Sequence, residues 1–155
     1  MANVIDSDPL AVIYGTWDMK GDEQAWYQLN ATNPTLTYGY NEMITITPDS
    51  FILEEFNKTT GNKTDQCVFS ISIIVQEGNK DGSDWFALTG NTTTASEIFT
   101  GKVYRLTGAT TYTGGYTSMR NLTTMYLYMN ADETQFVRTV SNNNKVVVGR
   151  VYKKN

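Results

Sequence analysis

From Leu36 to the C-terminus, short runs of alternating polar and apolar residues are separated at close intervals by turn chemistry. The punctuation is Pro48-Asp49-Ser50, Asn57 to Gln66, Glu77 to Asp84, Asn91 to Ser96, Ala131-Asp132-Glu133 and Ser141 to Asn144. Proline fixes φ, and Asp and Asn side chains bond their own backbone, so these are turns with a mechanism. Between them lie Leu36–Tyr40, Glu42–Thr47, Phe51–Phe56, Cys67–Gln76, Trp85–Leu88, Ile98–Thr107, Leu122–Met129, Thr134–Val140 and Lys145–Lys153. In Cys67–Gln76 the alternation predicts Phe69, Ile71, Ile73 and Val75 on one face, with Ser70, Ser72 and Gln76 on the other. No stretch carries a convincing long-helix period. The pattern predicts an all-β antiparallel fold, an up-and-down β-barrel of roughly 8–10 strands, with a β-sandwich as the alternative.

The first third is less regular. Residues 1–10 read as an N-terminal arm ending at Pro9, and residues 11–155 as a single β-barrel domain, the size expected of one unit. Ala11–Met19 is expected to be the first strand. Asp22–Leu29 suits two helical turns or a strand, and the strand is favoured. Ala109–Thr117, rich in Thr, Tyr and Gly, suits a wide loop or a weak edge strand.

Composition removes several kinds of chemistry. The net charge is −4 with no basic block, so no nucleic-acid partner is expected, since neutralising phosphates takes clustered Lys and Arg. The chain has no histidine, which excludes His-based general bases, Ser-His-Asp or Cys-His nucleophile systems and imidazole zinc sites. Cys67 is the sole cysteine, so no internal disulfide or cysteine metal cluster forms. Glu54 and Glu55 are adjacent and on a strand face opposite ways, so they make no catalytic pair. The expectation is a protein that is not an enzyme and carries no cofactor or metal. The loop Asn79–Asp84 is first a turn; calcium at Asp81 and Asp84 is the competing reading, without the spacing of an established calcium loop.

The longest apolar runs fall far short of the ~20 residues of a membrane-spanning helix. Residues 1–10 have neither a basic nor a long apolar region, so they do not read as a signal peptide. Abundant Thr, Asn, Tyr and Gly with few Lys lean toward an exported or cell-surface protein.

Arg150 stands in the closing strand Lys145-Val146-Val147-Val148-Gly149-Arg150-Val151-Tyr152-Lys153, which is otherwise strongly apolar. Burying an arginine there is costly unless it is paired or stacked. Trp17, in Gly15-Thr16-Trp17 of the first strand, is the expected stacking partner, and a guanidinium over indole is worth ~1 kcal/mol or more when desolvated. If the chain ends meet this way, the sheet between them closes.

Gly15-Thr16-Trp17 on the first strand and Arg150-Val151-Tyr152-Lys153-Lys154 on the last resemble the calycin group: lipocalins, fatty-acid-binding proteins and avidins. The Gly-x-Trp start is similar to one shared by all three, and the Arg-x-Tyr ending is most similar to the fatty-acid-binding branch. The start with little else conserved of either branch resembles bacterial lipocalin-like domains. The resemblance implies a closed barrel, with Arg150 and Tyr152 holding a ligand carboxylate and Trp17 closing the floor. The paired cysteines and Thr-Asp-Tyr motif common in lipocalins are absent, and there is little room for the helical lid of fatty-acid-binding proteins.

Each candidate site residue has a plainer alternative. Arg150 and Tyr152 share a strand face and could grip one carboxylate, or Arg150 could only stack on Trp17. Arg138, on the face of Phe136 and Val140, and Arg105, on the face of Val103, could add a second cation or lie on the exterior. Tyr104, Tyr126, Tyr128, Phe69 and Trp85 could line a ligand cavity or fill the core. Cys67 reads as a small buried hydrophobe. The expected function is binding of a small, largely apolar ligand, with a carboxylate as candidate headgroup. The alternative is a structural or adhesive surface protein with a filled core that self-associates into homo-oligomers through edge strands.

Overall fold

The computed structural model describes residues 8–19, 26–28, 40–77, 100–116, 119–142 and 145–155; for residues 19, 26–28, 139–142 and 145–150 it describes the backbone course alone. The strands are β1 (Gly15–Met19), β2 (Trp26–Gln28), β3 (Tyr40–Thr47), β4 (Ser50–Asn57), β5 (Lys63–Glu77), β6 (Val103–Tyr112), β7 (Thr124–Met129), β8 (Gln135–Asn142) and β9 (Lys145–Lys154). Each pairs antiparallel with its neighbour in the order β1-β3-β4-β5-β6-β7-β8-β9-β2.

Closure comes from β9, which accepts two partners along one edge. Trp17, Asp18 and Met19 of β1 pair with Lys154, Lys153 and Tyr152, while Trp26, Tyr27 and Gln28 of β2 pair with Arg150, Gly149 and Val148. β1 and β2 thus act as one interrupted stave, and the result is a closed eight-stranded up-and-down barrel. Closure uses up the edges that an open sheet would leave to template further pairing.

Local chemistry accounts for the tight connections. At the β3–β4 turn the Thr47 hydroxyl accepts from Ser50 N–H at 3.1 Å and donates to Asp49 Oδ1 at 2.8 Å. The Asn57 side-chain oxygen accepts from the backbone of Thr59 and Thr60, and Gly61 takes a positive φ of 74°. This turn is shorter than the polar composition of residues 57–66 predicts: β5 already begins at Lys63.

Three further expectations need correcting. The first strand starts only at Gly15, because Ala11–Ile13 form a 3-10 turn that folds under the barrel and buries Ile13. In β5, Phe69 and Ile71 are buried but Ile73 is 54% exposed and Ile74 packs against the core. A register shift between Ile71 and Ile73 inserts one residue, and with a side-chain period of two a single insertion swaps the faces. Residues 109–112, expected as a loop or weak edge, belong to β6, an interior strand held by β5 and, through β7 and its approach, by Gly108 N–H to Thr123 O and Thr110 N–H to Leu122 O. The Leu36–Gly39, Trp85–Leu88 and Asn79–Asp84 readings lie outside the described residues.

One end of the barrel is tightly packed. Trp17, Ile13, Ile44, Ile46, Phe51, Phe69 and Phe136 are all buried there, and the Trp17 and Phe136 rings meet edge-on at 4.7 Å. No helix among the described residues is long and apolar enough to cross a membrane.

Candidate functional site

The packed end is the floor, and Lys154 closes it. Its Nζ lies 4.7 Å from the Trp17 ring centroid and donates to Val12 O at 3.2 Å and to Tyr14 O. Trp17 Nε1 donates to Ile13 O at 2.9 Å. Among the described residues the cation over Trp17 is Lys154, the residue paired with it across β1 and β9. The Arg150 side chain lies outside the described residues; its backbone pairs with Trp26 on one side and Arg138 on the other.

Toward the other end the interior turns polar. β3 places Glu42 inward one period before Ile44, and Glu42 is only 2% exposed. Its Oε1 accepts from the Tyr152 hydroxyl at 2.9 Å, and its Oε2 accepts from the Tyr116 hydroxyl at 2.8 Å. A buried carboxylate is tolerable only with such donors. Burial and the neighbouring Glu42 charge push the Tyr116 phenol far above its ordinary range. A depression of about 260 Å³, lined by Asp18, Asn41, Glu42, Met43 and Phe56, adjoins this residue.

Arg138 on β8 is also inward and buried, 8% exposed. Its Nη1 points at the Met119 sulfur at 3.2 Å, while its Nε has no hydrogen-bond partner among the described residues. A thioether is a weak acceptor, so this guanidinium is poorly compensated. The Cys67 thiol shares this region: burial pushes it up to about 11, with the Arg138 charge opposing and Asp65 adding to the rise. Tyr104, Leu127 and Arg138 form one register row across β6, β7 and β8. The Tyr104 hydroxyl, fully buried, is likewise without a partner among the described residues.

Above this region runs the β6–β7 connection. Tyr116 reaches down to Glu42 and the fully buried Met119 reaches Arg138. Gly115 N–H donates to Asp65 Oδ2 at 2.7 Å, anchoring the connection to β5.

The structure thus brings Tyr152, Arg138 and Tyr104 of the expected residues into the interior, the last two in one register row. Tyr126 and Tyr128 alternate with the core residues Met125, Leu127 and Met129 and so stand on the opposite face, where Tyr128 joins Val103, Val137 and Val151 in a buried outer row. Their rings lie 6.2 Å apart. Arg105 pairs with Glu77 at 3.1 Å, on the face of Val103 and away from the core. Glu42, Tyr116 and Met119 are absent from the sequence-based candidates. A lone Glu one period before Ile44 and Ile46 was the available signal for the first; nothing local marked the others.

No group of acidic residues and cysteine suited to a metal ion occurs among the described residues. No family model matches the chain, and no curated protein or solved structure matches it. The barrel architecture is compatible with a calycin-like fold.

Proposed function

We propose that the protein is a non-enzymatic, calycin-like carrier that binds a small, largely apolar molecule in the polar half of its barrel. The observation that carries this is Arg138. A guanidinium withdrawn from water, with only a thioether on one nitrogen and no partner on Nε among the described residues, costs several kcal/mol relative to its hydrated state. An oxyanion or carbonyl oxygen of a ligand would replace the thioether with a charge-assisted hydrogen bond. Leu127, its register neighbour, and the core residues Leu53, Leu106 and Met125 are apolar and suit a hydrocarbon body.

The roles differ from those the resemblance implies. Tyr152 already donates to Glu42, so it fixes the carboxylate and the β3–β9 geometry, and Arg138 is the headgroup contact in its place. Ligands with a single acceptor and an apolar chain are favoured; a second negative charge near Glu42 is disfavoured. Displacement of a fluorescent long-chain carboxylate, with native mass spectrometry for stoichiometry, tests this. One-to-one displaceable binding is expected, and no saturable binding by carboxylates, esters or alcohols of similar length overturns it.

A further inference from the structure

Two side chains on the β6–β7 connection occupy the polar contacts of the interior. Met119 sits on the Arg138 guanidinium of β8 and Tyr116 on the Glu42 carboxylate of β3, strands on either side of the β5–β6 pair. The Gly115–Asp65 contact is the third tether, and it is close to the hinge end at β6. These three contacts differ in strength. Gly115–Asp65 and Tyr116–Glu42 are hydrogen bonds to carboxylates, whereas Met119–Arg138 pairs a strong donor with a weak acceptor. A cap held firmly at two points, with its weakest contact on the buried cation, is suited to exchange that contact for a better acceptor.

We propose that Tyr116 and Met119 form a gate over the binding site, in which Met119 is an internal plug on Arg138 that the acceptor atom of the ligand displaces, and Tyr116–Glu42 is the latch. This rests on the binding role of Arg138 given above. Met119 sets specificity: it leaves room on the guanidinium for one acceptor group and closes the interior when none is present. No bond is made or broken beyond these hydrogen bonds. Release of the Tyr116 hydroxyl leaves Glu42 with Tyr152 still donating to its other oxygen, so opening does not strip the buried carboxylate of every donor.

Cys67 supplies a readout that needs no ligand. It is the sole cysteine, fully buried, and close enough to Arg138 and Asp65 for both charges to act on its thiol. Labelling by a maleimide therefore reports access to the interior beneath the gate. The experiment compares labelling rates of the wild type, Tyr116→Phe and Met119→Ala at one pH across low urea concentrations. Tyr116→Phe is expected to label at least ~10-fold faster, at a rate nearly independent of urea, as local rather than global opening requires. Met119→Ala is expected to do the same. Rates equal to wild type, or rates that climb with urea as steeply as global unfolding, overturn the gate. A long-chain carboxylate added to the wild type is expected to slow labelling. If the variants label fast but the carboxylate has no effect on any of the three proteins, the gate stands and the carboxylate-binding role of Arg138 falls.

Discussion

The Tyr116 hydroxyl donates to Glu42 Oε2 at 2.8 Å, linking the β6–β7 connection to a strand that precedes it by 74 residues. The Tyr152 hydroxyl holds the other oxygen of the same carboxylate at 2.9 Å. One buried acid thus ties together β3, β9 and the cap. Burial and the Glu42 charge hold the Tyr116 phenol above its ordinary value.

Alkaline pH should therefore destabilise the fold. Tyr116, Tyr104 and Tyr14 are all raised above the ordinary tyrosine value of 10.0, by burial first and nearby carboxylates second, and Cys67 is raised from 9.0 to about 11. A raised folded pKa means that the unfolded chain loses its proton first. Stability is thus complete below pH 9 and falls as pH rises through the 9 to 11 window of Cys67, then further above 10 as the tyrosines follow. Lys154, lowered by burial, acts in the opposite sense just below its ordinary 10.5. Urea midpoints measured from pH 7 to 11 check this, and Cys67→Ala is expected to flatten the decline between pH 9 and 10.

At the floor, Trp17→Phe removes the donor to Ile13 O and leaves that buried carbonyl unpaired. A loss of about 1–3 kcal/mol is expected from equilibrium unfolding. Lys154→Met keeps the apolar stem over Trp17 but loses the bonds to Val12 O and Tyr14 O, at a cost of about 1–2 kcal/mol.

Gly108 of β6 packs directly against the backbone of Ser70 and Ile71 on β5. A methyl group there would overlap the Ser70 carbonyl oxygen, which is backbone and cannot rotate aside. Gly108→Ala is expected to cost roughly 3 kcal/mol or more, by forcing the two strands apart, and to appear in thermal melts as a large fall in midpoint.

Much of the fold was legible because its signals are local. Thr47 to Ser50 turns through its own side chains, and the apolar alternation in β3, β4 and β7 names their inward residues without reference to anything distant. The site was legible only in part. Arg138 and Tyr152 could be proposed from their own strands, but Glu42 meets Tyr152 across 110 residues and Met119 meets Arg138 from a connection with no periodicity. Those meetings depend on register, and register here depends on bulges that one-dimensional alternation does not reveal, as Ile73 shows. The cation over Trp17 is a matter of register too. β1 pairs with the last residues of β9, so Lys154 and not Arg150 is opposite the indole.

Arg138 separates a binding role from a purely structural one. A buried ion kept for stability should cost stability when removed; one kept for a ligand should not. Replacing a poorly compensated buried charge by an apolar residue of similar length removes its desolvation penalty. Arg138→Met is expected to unfold at the same or higher urea concentration than the wild type.

The most direct measurement is an equilibrium titration of the wild type and Arg138→Met with the same fluorescent long-chain carboxylate, in parallel with its methyl ester. Saturable one-to-one binding by the wild type is expected, weakened at least ~10-fold in Arg138→Met, a loss of about 1.4 kcal/mol. The ester is expected to lose less than the acid on that substitution. Absence of saturable binding by the wild type, or equal affinity of the two proteins for the acid, would contradict a ligand site at Arg138.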